Sequence, residues 1–444
     1  MTLLIISPDY ASHLLPLATL GTAWRDAGER VVVAAGEATA AIVASFGLER
    51  VHLQLGRGSN PGVIRAEEQV AGEDDALRGF FAATRRGMVP TLAFQAGARL
   101  EDLMWEPVET ARAVLSVVEA VQPDAVLVDH LAFSARLALT AAAVPHADVV
   151  LGHPTALPVG DETYGYPPAW PAAFSPEPDE LAALADLCLR VTARFTAEWN
   201  AALARLDPTA APVADAFAAH GDVLLLNYPE ELTEPDRVAL LPAHVFLGSA
   251  VREEPADDEV EAWLAATDRF VYVSFGSFLS VRADVLARVM AALELLGLDA
   301  AIATGSADPH ELPEPPAGWL VREFLPQVRL LGSAAAAVTH GGNNSVTEAM
   351  TAGVPLVVLP FSTDQFAGAA ALERTGLGVC LAPNTATVEQ LAEAILRALA
   401  IPADSGLAAL SGRLVDRSGR DRAYAALHED TGPPDARRSP AAGR

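Results

Sequence analysis

Cysteine is scarce in this chain of 444 residues, which contains only Cys188 and Cys380, far apart in the sequence. Their spacing fits neither a disulfide framework nor a zinc site, and it favours a reducing, cytoplasmic location. Basic residues are also few, because 30 Lys and Arg stand against 57 Asp and Glu and the net charge is −27. A surface of this charge repels nucleic acid, so we expect no nucleic-acid partner.

Long apolar runs and a basic leader segment are missing too. No uncharged apolar stretch reaches the roughly 18 residues that a membrane helix needs, and the start MTLLIISPDY runs directly into a predicted strand. We therefore expect a soluble protein without stable membrane insertion. Neither half of the chain carries Gly-x-Gly-x-x-Gly after its first predicted strand, which disfavours an NAD-binding oxidoreductase.

What the chain does contain is 51% hydrophobic residues with 32 Gly and 32 Pro. This length exceeds one ordinary core, and alanine-rich helices between Val/Leu strands predict an α/β fold of two domains. The amino-terminal part shows one clear βαβ unit, with a strand over 3–7, a helix over 15–27 and a strand over 31–35. Another strand is predicted over 125–128, and the run GDVLLLN at 221–227 is predicted as the last strand of this domain.

Residues 338–369 are the most informative segment. A short apolar run enters the turn formed by residues 340–345, and a helix with apolar periodicity follows. Gly341 and Gly342 allow the backbone to approach a ligand, and Asn344 or Ser345 is expected to cap a helix whose amino end favours an anion.

The second half of this segment adds polar side chains. The helix is expected to end near Gly353, and a second strand runs through 359, so that Asp364 and Gln365 follow its carboxyl end, where open parallel sheets bind ligands. A Gly-Gly turn before a helix can be purely structural, and for the turn alone the two interpretations are balanced. The combination with His340, Glu348 and the Asp-Gln pair favours a nucleotide-sugar site.

The segment resembles the donor-binding signature of the family-1 nucleotide-sugar glycosyltransferases, the UDP-glycosyltransferase group that includes bacterial macrolide and natural-product enzymes. The resemblance implies a GT-B fold, in which two Rossmann-like domains face each other across a cleft. It also implies diphosphate contacts from the turn and helix start, ribose contacts from Glu348, and sugar contacts from Asp364 with Gln365. The diphosphate contacts are His340, Asn344 and Ser345, and Gly342 of the same turn is a further nucleotide-sugar-binding residue.

Two upstream stretches extend the resemblance. Phe324-Leu-Pro-Gln327 resembles the family's Trp-x-Pro-Gln, which implies that Phe324 stacks on the base with Gln327 beside it. Phe offers a smaller stacking surface than Trp. Residues 271–277 resemble the first strand and turn of the family's carboxyl-terminal domain, which makes Ser277 a second phosphate donor. No Asp-x-Asp occurs in the chain, so we expect no metal cofactor.

A histidine and an aspartate in the amino-terminal half supply candidate catalytic groups. The stretch from Ser12 to Pro16 resembles the family's Gly-His-x-x-Pro, which implies that His13 is the catalytic base. Asp129 follows the strand predicted over 125–128 and resembles the aspartate that orients this histidine. Asp129 as a helix cap is the alternative, and the neighbouring His130 is a weaker competitor for the base.

The family pattern also suggests domain boundaries. We expect an acceptor-binding domain over 1–249, a linker over 250–268 and a nucleotide-sugar-binding domain over 269–402. Residues 228–268 lose periodicity and gain charge and proline. A helical segment over 403–427 is expected to pack back toward the first domain, and 428–444 has the composition of a disordered tail.

The predicted function is inverting transfer of a hexose, with glucose favoured, from a UDP-sugar to a hydroxyl of an apolar small-molecule acceptor by a monomer or homodimer. The Pro- and aromatic-rich stretch 152–170 either lines the acceptor pocket or covers the cleft. Three alternatives stay open: a dTDP-deoxysugar transferase, a UDP-sugar 2-epimerase of similar architecture, and a non-catalytic partner protein of the same fold.

Overall fold

The computed structural model describes residues 1–60, 73–100, 104–279, 281–402 and 406–429. In these ranges the chain forms two parallel sheets, each flanked by helices. The predicted α/β class is thereby confirmed. The predicted tail over 428–444 lies, from residue 430 onward, outside the described residues.

The first sheet has seven parallel strands within the described ranges, in the order β3-β2-β1-β4-β5-β6-β7. They are β1 Thr2–Ile6, β2 Arg30–Ala35, β3 Glu49–His52, β4 Ala125–Asp129, β5 Ala147–Val150, β6 Val223–Leu226 and β7 His244–Phe246. The prediction that residues 221–227 form the last strand is wrong, because β7 follows. Its three residues pair with β6 alone at the sheet edge, which is too short a run to show alternation.

The helices of the first domain lie on both faces of this sheet. They are α1 Ala11–Asp26, α2 Ala40–Ser45, α3 Glu73–Thr84, α4 Met88–Arg99, α5 Pro107–Val121, α6 Phe133–Ala141, α7 Pro178–Leu206 and α8 Pro235–Val238. Helix α1 begins four residues before the predicted start at 15, so His13 lies in its first turn and not in a loop. Its N-cap is Tyr10, whose side chain makes no capping bond, so no cap residue marks this start.

The second sheet has six parallel strands in the described part of the chain, in the order β10-β9-β8-β11-β12-β13. They are β8 Phe270–Ser274, β9 Asp299–Ala303, β10 Leu320–Arg322, β11 Ala336–Thr339, β12 Leu356–Val358 and β13 Gly378–Cys380. The accompanying helices are α9 Asp258–Ala266, α10 Gly276–Leu279, α11 Ala283–Leu296, α12 Gln327–Leu331, α13 Asn343–Ala352, α14 Gln365–Thr375, α15 Val388–Leu399, α16 Gly406–Asp416 and α17 Gly419–Glu429.

The strand order of both sheets reverses next to the first strand of each. In the first sheet β1 lies between β2 and β4, and in the second β8 lies between β9 and β11. Open parallel sheets leave a crevice at such a point, because the helices that follow the two strands leave on opposite faces. The residues after β1, β4, β8 and β11 therefore border the two crevices.

The segment between the two sheets is partly helical. Helix α9 begins after Asp257, whose carboxylate accepts a bond from the backbone N–H of Val260 at 3.1 Å, and Val260 is fully buried. The expectation of an aperiodic stretch over 228–268 is thus wrong. The acidic run that looked like a linker contains an N-cap and a negatively charged first turn, both of which favour a helix.

The last helix crosses to the first domain. The ring of Tyr424 on α17 meets Trp24 of α1 edge-on with centroids 5.1 Å apart, and Arg420 bonds Asp26 at 2.7 Å. Helix α16 stays with the second domain, where Ser411 donates to the carbonyl of Thr351. Among the described residues, no helix is long and apolar enough to cross a bilayer.

Candidate functional site

A cavity of about 540 Å³ lies between the two domains, at the carboxyl ends of both sheets. Of the candidate residues from the sequence, nine contribute to its lining among the described ones. They are His13, Asp129, Phe324, Gln327, His340, Gly342, Asn344, Ser345 and Asp364. Glu348 and Gln365 are not lining residues. The structure thus brings the two candidate catalytic groups and the turn after β11 to one cavity.

His13 and Asp129 are in direct contact. Nδ1 of His13 lies 2.7 Å from Oδ2 of Asp129, although 116 residues separate them, because β1 and β4 are adjacent parallel strands that end at the same sheet edge. The Asp129 side chain is 1% exposed and that of His13 is 25% exposed. A carboxylate on Nδ1 holds the ring so that Nε2 carries the free lone pair.

This pair alters the acidity of His13. Burial alone would lower the pKa of the imidazole, but the charge of Asp129, its hydrogen bond and the more distant Asp364 outweigh burial, and the pKa is raised. The imidazolium is the form that these carboxylates stabilise. A ring that takes up a proton here would be held in its charged form by Asp129.

The alternative interpretation of Asp129 as a helix cap is wrong, because the N-cap of α6 is Ala132 and no side chain caps that helix. While Oδ2 faces His13, Oδ1 accepts the backbone N–H of Leu131 at 2.8 Å, within the turn that leads to α6. His130 also lines the cavity, but its Nε2 lies 3.2 Å from the carbonyl of Ala156. Burial lowers the pKa of His130 to about 4, with the charge of Arg136 acting in the same direction. Among the described residues, no carboxylate is bonded to the ring of His130, which favours His13 over His130 as the candidate base.

The turn after β11 leads directly into α13. The N-cap of α13 is Gly342 and no side chain caps it, so the expectation that Asn344 or Ser345 caps this helix is wrong. The helix starts at Asn343, two residues earlier than a cap at 344 requires. Its first N–H groups have no side-chain cap, and they lie at the cavity wall as an anion site would require.

The two asparagines at this helix start connect the domains. The side-chain amide of Asn343 donates to the carbonyls of Leu151 at 2.7 Å and Asn227 at 2.9 Å, which follow β5 and β6. Asn344 donates to the carbonyl of Ser12 at 2.9 Å. The start of α13 is therefore fixed against the first domain, directly beside the candidate base.

His340 packs between two glycines. A Cβ at Gly276, whose φ is +68°, would lie 2.8 Å from Cε1 of His340, and a Cβ at Gly342 would also collide with the ring. Both positions thus require glycine for this histidine to fit. Burial lowers the pKa of His340 to about 4, so the ring is neutral at pH 7. Ser277 follows Gly276 in α10, and its side chain lies outside what the structure describes.

Both oxygens of the Glu348 carboxylate have partners within the protein. Oε1 pairs with Arg252 at 2.6 Å, and Oε2 accepts from the Gln327 amide at 2.6 Å. Burial raises the pKa of Glu348 and the charge of Arg252 opposes the increase. Phe324, by contrast, is 58% exposed at the cavity wall, so its ring is accessible to a base.

Asp364 and Gln365 have separate environments. Asp364 accepts the backbone N–H of His153 at 2.6 Å, and Gly152 permits this approach because a Cβ there would lie 2.7 Å from the carboxylate. Gln365 is buried, and its side-chain oxygen accepts the N–H groups of Phe361 and Ser362, so it shapes the loop and does not line the cavity. The structure thus separates a pair that the sequence places together.

Sequence reasoning did not identify three residues that matter here. Arg252 lines the cavity from the predicted linker, Asn343 joins α13 to the first domain, and Arg99 reaches the cavity from the end of α4. Asn343 is adjacent to the recognised turn, so its polar side chain was a usable signal. Arg252 and Arg99 have no local pattern that distinguishes them from surface arginines. In the described ranges, no group of three or more His, Cys, Asp or Glu residues is placed to hold a metal ion.

Comparison with known sequences gives a match over the second half of the chain. Residues 185–402 match the profile of the family described as UDP-glucoronosyl and UDP-glucosyl transferase. NDP-glycosyltransferase YjiC of Bacillus subtilis is 43% identical over 88 residues, which are 20% of this chain and 22% of that protein. The 2-hydroxyacylsphingosine 1-beta-galactosyltransferase of Mus musculus is 29% identical over 190 residues, 41% of this chain and 34% of its own. The matched segments thus span about a fifth to a third of these relatives.

Solved structures resemble the whole chain. The glycotransferase of kitacinnamycin superposes with a TM-score of 0.67 at 20% identity, covering 97% of this chain and 99% of its own. Spinosyn rhamnosyltransferase SpnG complexed with thymidine diphosphate gives 0.63 at 21%, covering 97% and 100%. Glycosyltransferase SnogD from Streptomyces nogalater gives 0.58 at 22%, covering 97% and 99%. At these identities the likeness concerns the fold, and the predicted GT-B fold is confirmed.

Proposed function

We propose that this chain is an inverting glycosyltransferase. The premise is that it belongs, through its residues 185–402, to the UDP-glucoronosyl and UDP-glucosyl transferase family. The enzyme moves a hexose, with glucose favoured, from a UDP-sugar to a hydroxyl of an apolar small-molecule acceptor. One observation carries the proposal: the His13–Asp129 pair and the uncapped start of α13 line the same cavity. An acceptor hydroxyl at His13 and a donor diphosphate at the start of α13 would then meet in one cavity.

His13 is the proposed general base. Its Nε2 takes the proton from the acceptor hydroxyl while the oxygen attacks the anomeric carbon, and the bond from that carbon to the diphosphate oxygen breaks. Asp129 holds the ring through Nδ1 and stabilises the imidazolium that forms. A single in-line displacement inverts the anomeric configuration. A positioned base of this kind contributes about 10²- to 10⁴-fold to the rate.

The start of α13 is the proposed site of the departing diphosphate. Its free N–H groups and the positive end of the helix dipole stabilise the charge that develops on the leaving oxygen. His340, Asn344 and Ser345 border the same wall, and Ser277 is the further candidate from the sequence. We propose that this donor set acts without a metal ion.

Phe324 and Glu348 are the proposed contacts of the nucleoside. The exposed Phe324 ring stacks on the base, and Glu348 accepts the ribose hydroxyls once Arg252 or Gln327 yields one of its oxygens. A carboxylate aimed at both hydroxyls loses one partner in a 2′-deoxyribose, which favours UDP over dTDP. Two observations support the dTDP-deoxysugar alternative. Both oxygens of Glu348 already bond Arg252 and Gln327, and spinosyn rhamnosyltransferase SpnG holds thymidine diphosphate.

The acceptor is proposed to bind on the side of the cavity formed by the first domain. Leu92, Ala96, Tyr164 and Val191 make much of that wall apolar, and Tyr164 belongs to the Pro- and aromatic-rich stretch 152–170. Most ligand sites combine such a wall with a few placed polar groups. This supports a ring-containing, apolar acceptor that presents a hydroxyl to His13.

The proposal is tested by a donor and acceptor screen with mass-spectrometric detection. The protein is incubated with UDP-glucose or dTDP-glucose and a panel of hydroxylated polycyclic and polyketide-like acceptors. Products one hexosyl unit heavier, with inverted anomeric configuration by NMR, are expected. If UDP-GlcNAc alone is converted to its epimer without any acceptor product, the chain is an epimerase. Binding of UDP without either product would identify a non-catalytic protein.

A further inference from the structure

A guanidinium group lines the acceptor side of the cavity and has no acidic partner among the residues that the structure describes. Arg99 is the last residue of α4, is half-buried, and contributes to the cavity wall. Its guanidinium carbon lies 4.8 Å from the centroid of the Tyr164 ring. Stacking on an aromatic face orients the planar group, and one of its N–H groups also hydrogen-bonds the Tyr164 hydroxyl. A guanidinium has five N–H groups, so the others can take a further partner.

In the described part of the chain, the lack of an ion pair distinguishes Arg99 from Arg252, which also lines the cavity. Arg252 pairs with Glu348 and Glu254, each at 2.6 Å. Within the described residues, Arg99 forms no ion pair, although the chain has 57 acidic residues against 30 basic ones. A guanidinium that lines a partly apolar cavity is stabilised when an anion completes its hydrogen bonds.

The surroundings of Arg99 belong to the first domain. Leu92 and Ala96 precede it on α4, Val191 lies on α7, and all three line the cavity. Gln95 lines it from the same helix, and its side-chain oxygen is bonded to the N–H of Thr363 at 3.3 Å. Among the described residues, the wall around Arg99 is therefore largely apolar and carries this one guanidinium, which fits an apolar molecule with a single anionic group.

We propose that Arg99 binds a carboxylate on the acceptor, so that the preferred acceptors are ring-containing hydroxy acids. The inference rests on the proposed function, because it assigns one substrate of that same reaction. The planar N–H edge of arginine matches a carboxylate through two parallel hydrogen bonds, and Tyr164 fixes that edge.

A carboxylate on the donor sugar would satisfy the same chemistry, but the charge near Tyr164 disfavours it. Asp364, the proposed sugar contact, is close enough to raise the pKa of the Tyr164 hydroxyl, although burial is the larger cause of that shift. A uronate would meet this like charge. The apolar neighbours of Arg99 on α4 and α7 belong to the first domain, where the acceptor is proposed to bind.

The test compares hydroxylated aromatic carboxylic acids of one to three rings with their primary amides, using UDP-glucose as donor. The ratio of kcat/KM for acid over amide is measured for the wild type and for the variants Arg99→Gln, Arg99→Lys and Arg190→Gln. Arg190 is exposed on α7 outside the cavity, so its substitution removes the same charge without touching the site.

The expected preference for the acid is about 10- to 100-fold, the range of a charge-assisted hydrogen bond. It should persist in Arg190→Gln, shrink in Arg99→Lys and vanish in Arg99→Gln. An unchanged ratio in Arg99→Gln, or a wild-type preference for the amide, overturns the proposal. A second set of assays compares UDP-glucuronic acid with UDP-glucose on a neutral acceptor. If Arg99→Gln changes kcat/KM only in this donor comparison, Arg99 does not bind an acceptor carboxylate and the proposal is overturned.

Binding measurements distinguish failure of the carboxylate site from failure of the proposed glycosyl transfer. If no acceptor is glycosylated, calorimetric binding of the acids and amides to the wild type and Arg99→Gln still measures the carboxylate preference. UDP affinity, which should be equal in both proteins, reports whether the donor side is intact. Weaker acid binding in Arg99→Gln then supports the carboxylate site, and equal binding overturns it.

Discussion

The backbone carbonyl of Ser12 accepts a hydrogen bond from the side-chain amide of Asn344 at 2.9 Å. In a regular helix this carbonyl would bond the N–H of residue 16, but residue 16 is a proline inside α1 and has no N–H. Pro16 therefore leaves the carbonyl beside His13 available to the second domain. The proline three residues after the candidate base thus frees the carbonyl through which the two domains are hydrogen-bonded.

This relationship predicts a coupling between two substitutions. Asn344→Ala should lower the free energy of unfolding by about 0.5 to 1.5 kcal/mol, because Ser12 loses its partner and Pro16 cannot replace it. In a Pro16→Ala background, where the helix supplies an N–H, the same substitution should cost less. Chemical denaturation of the four proteins measures the coupling. Equal costs in both backgrounds would show that Pro16 does not control the Ser12 carbonyl.

Arg252 should control the pH range of donor binding. Burial raises the pKa of Glu348, so the proposed contact of its carboxylate with the ribose hydroxyls is lost as the pH falls through that raised value. Arg252→Gln removes the opposing positive charge, and the pKa should rise further. UDP affinity, measured by calorimetry between pH 5 and 8, should then fall off at a higher pH than in the wild type.

The matched control for this variant is Arg329→Gln, which removes a charge from an exposed pair with Glu261 in the same domain. Its affinity profile should follow the wild type. A profile of Arg252→Gln that also follows the wild type would mean that Arg252 does not tune Glu348.

Phe324 should determine the affinity for the base. Stacking of a base on an aromatic ring contributes about 1 to 3 kcal/mol, so Phe324→Ala should weaken UDP binding about 10- to 100-fold, and Phe324→Trp should retain or tighten it. Leu396→Ala is a suitable control, because Leu396 is also exposed, at 52%, on α15 away from the cavity. Equal UDP affinities for Phe324→Ala and the wild type would show that the uracil ring does not stack on Phe324.

The rate of transfer should depend on pH through His13. The unprotonated imidazole is the proposed base, and the pKa of His13 is raised, so kcat/KM should increase with pH through an inflection above 6.5. In Asp129→Asn the carboxylate that raises this pKa is gone and burial remains, so the inflection should move to lower pH. The plateau rate should fall by about 10²- to 10⁴-fold, because the imidazolium loses its stabilising charge. If the inflection of Asp129→Asn lies at the wild-type pH, Asp129 does not raise the pKa of His13.

The sequence was sufficient for the features that depend on local pattern. Buried parallel strands appear as continuous apolar runs, so β1, β4 and β11 were found within a residue or two. Since His13 and Asp129 follow neighbouring strands, parallel pairing was enough to expect their contact. Strand β7 was missed because three residues at a sheet edge carry no period.

Long-range partners of charged side chains were beyond sequence reasoning. Arg252 meets Glu348 across 96 residues, and no local pattern indicates that pair. The separation of Asp364 from Gln365 was hidden for a different reason. Adjacent residues at a helix start point in different directions, so Asp364 faces His153 while Gln365 turns into its own loop.

The central claim, that this cavity transfers a sugar with His13 as the base, is tested most directly by comparing His13→Ala with the wild type on the first acceptor identified. Transfer from UDP-glucose should fall by at least about 10²-fold in the variant, while UDP affinity stays within a factor of two or so, since His13 lies on the acceptor side of the cleft. Transfer at the wild-type rate by His13→Ala would contradict the account.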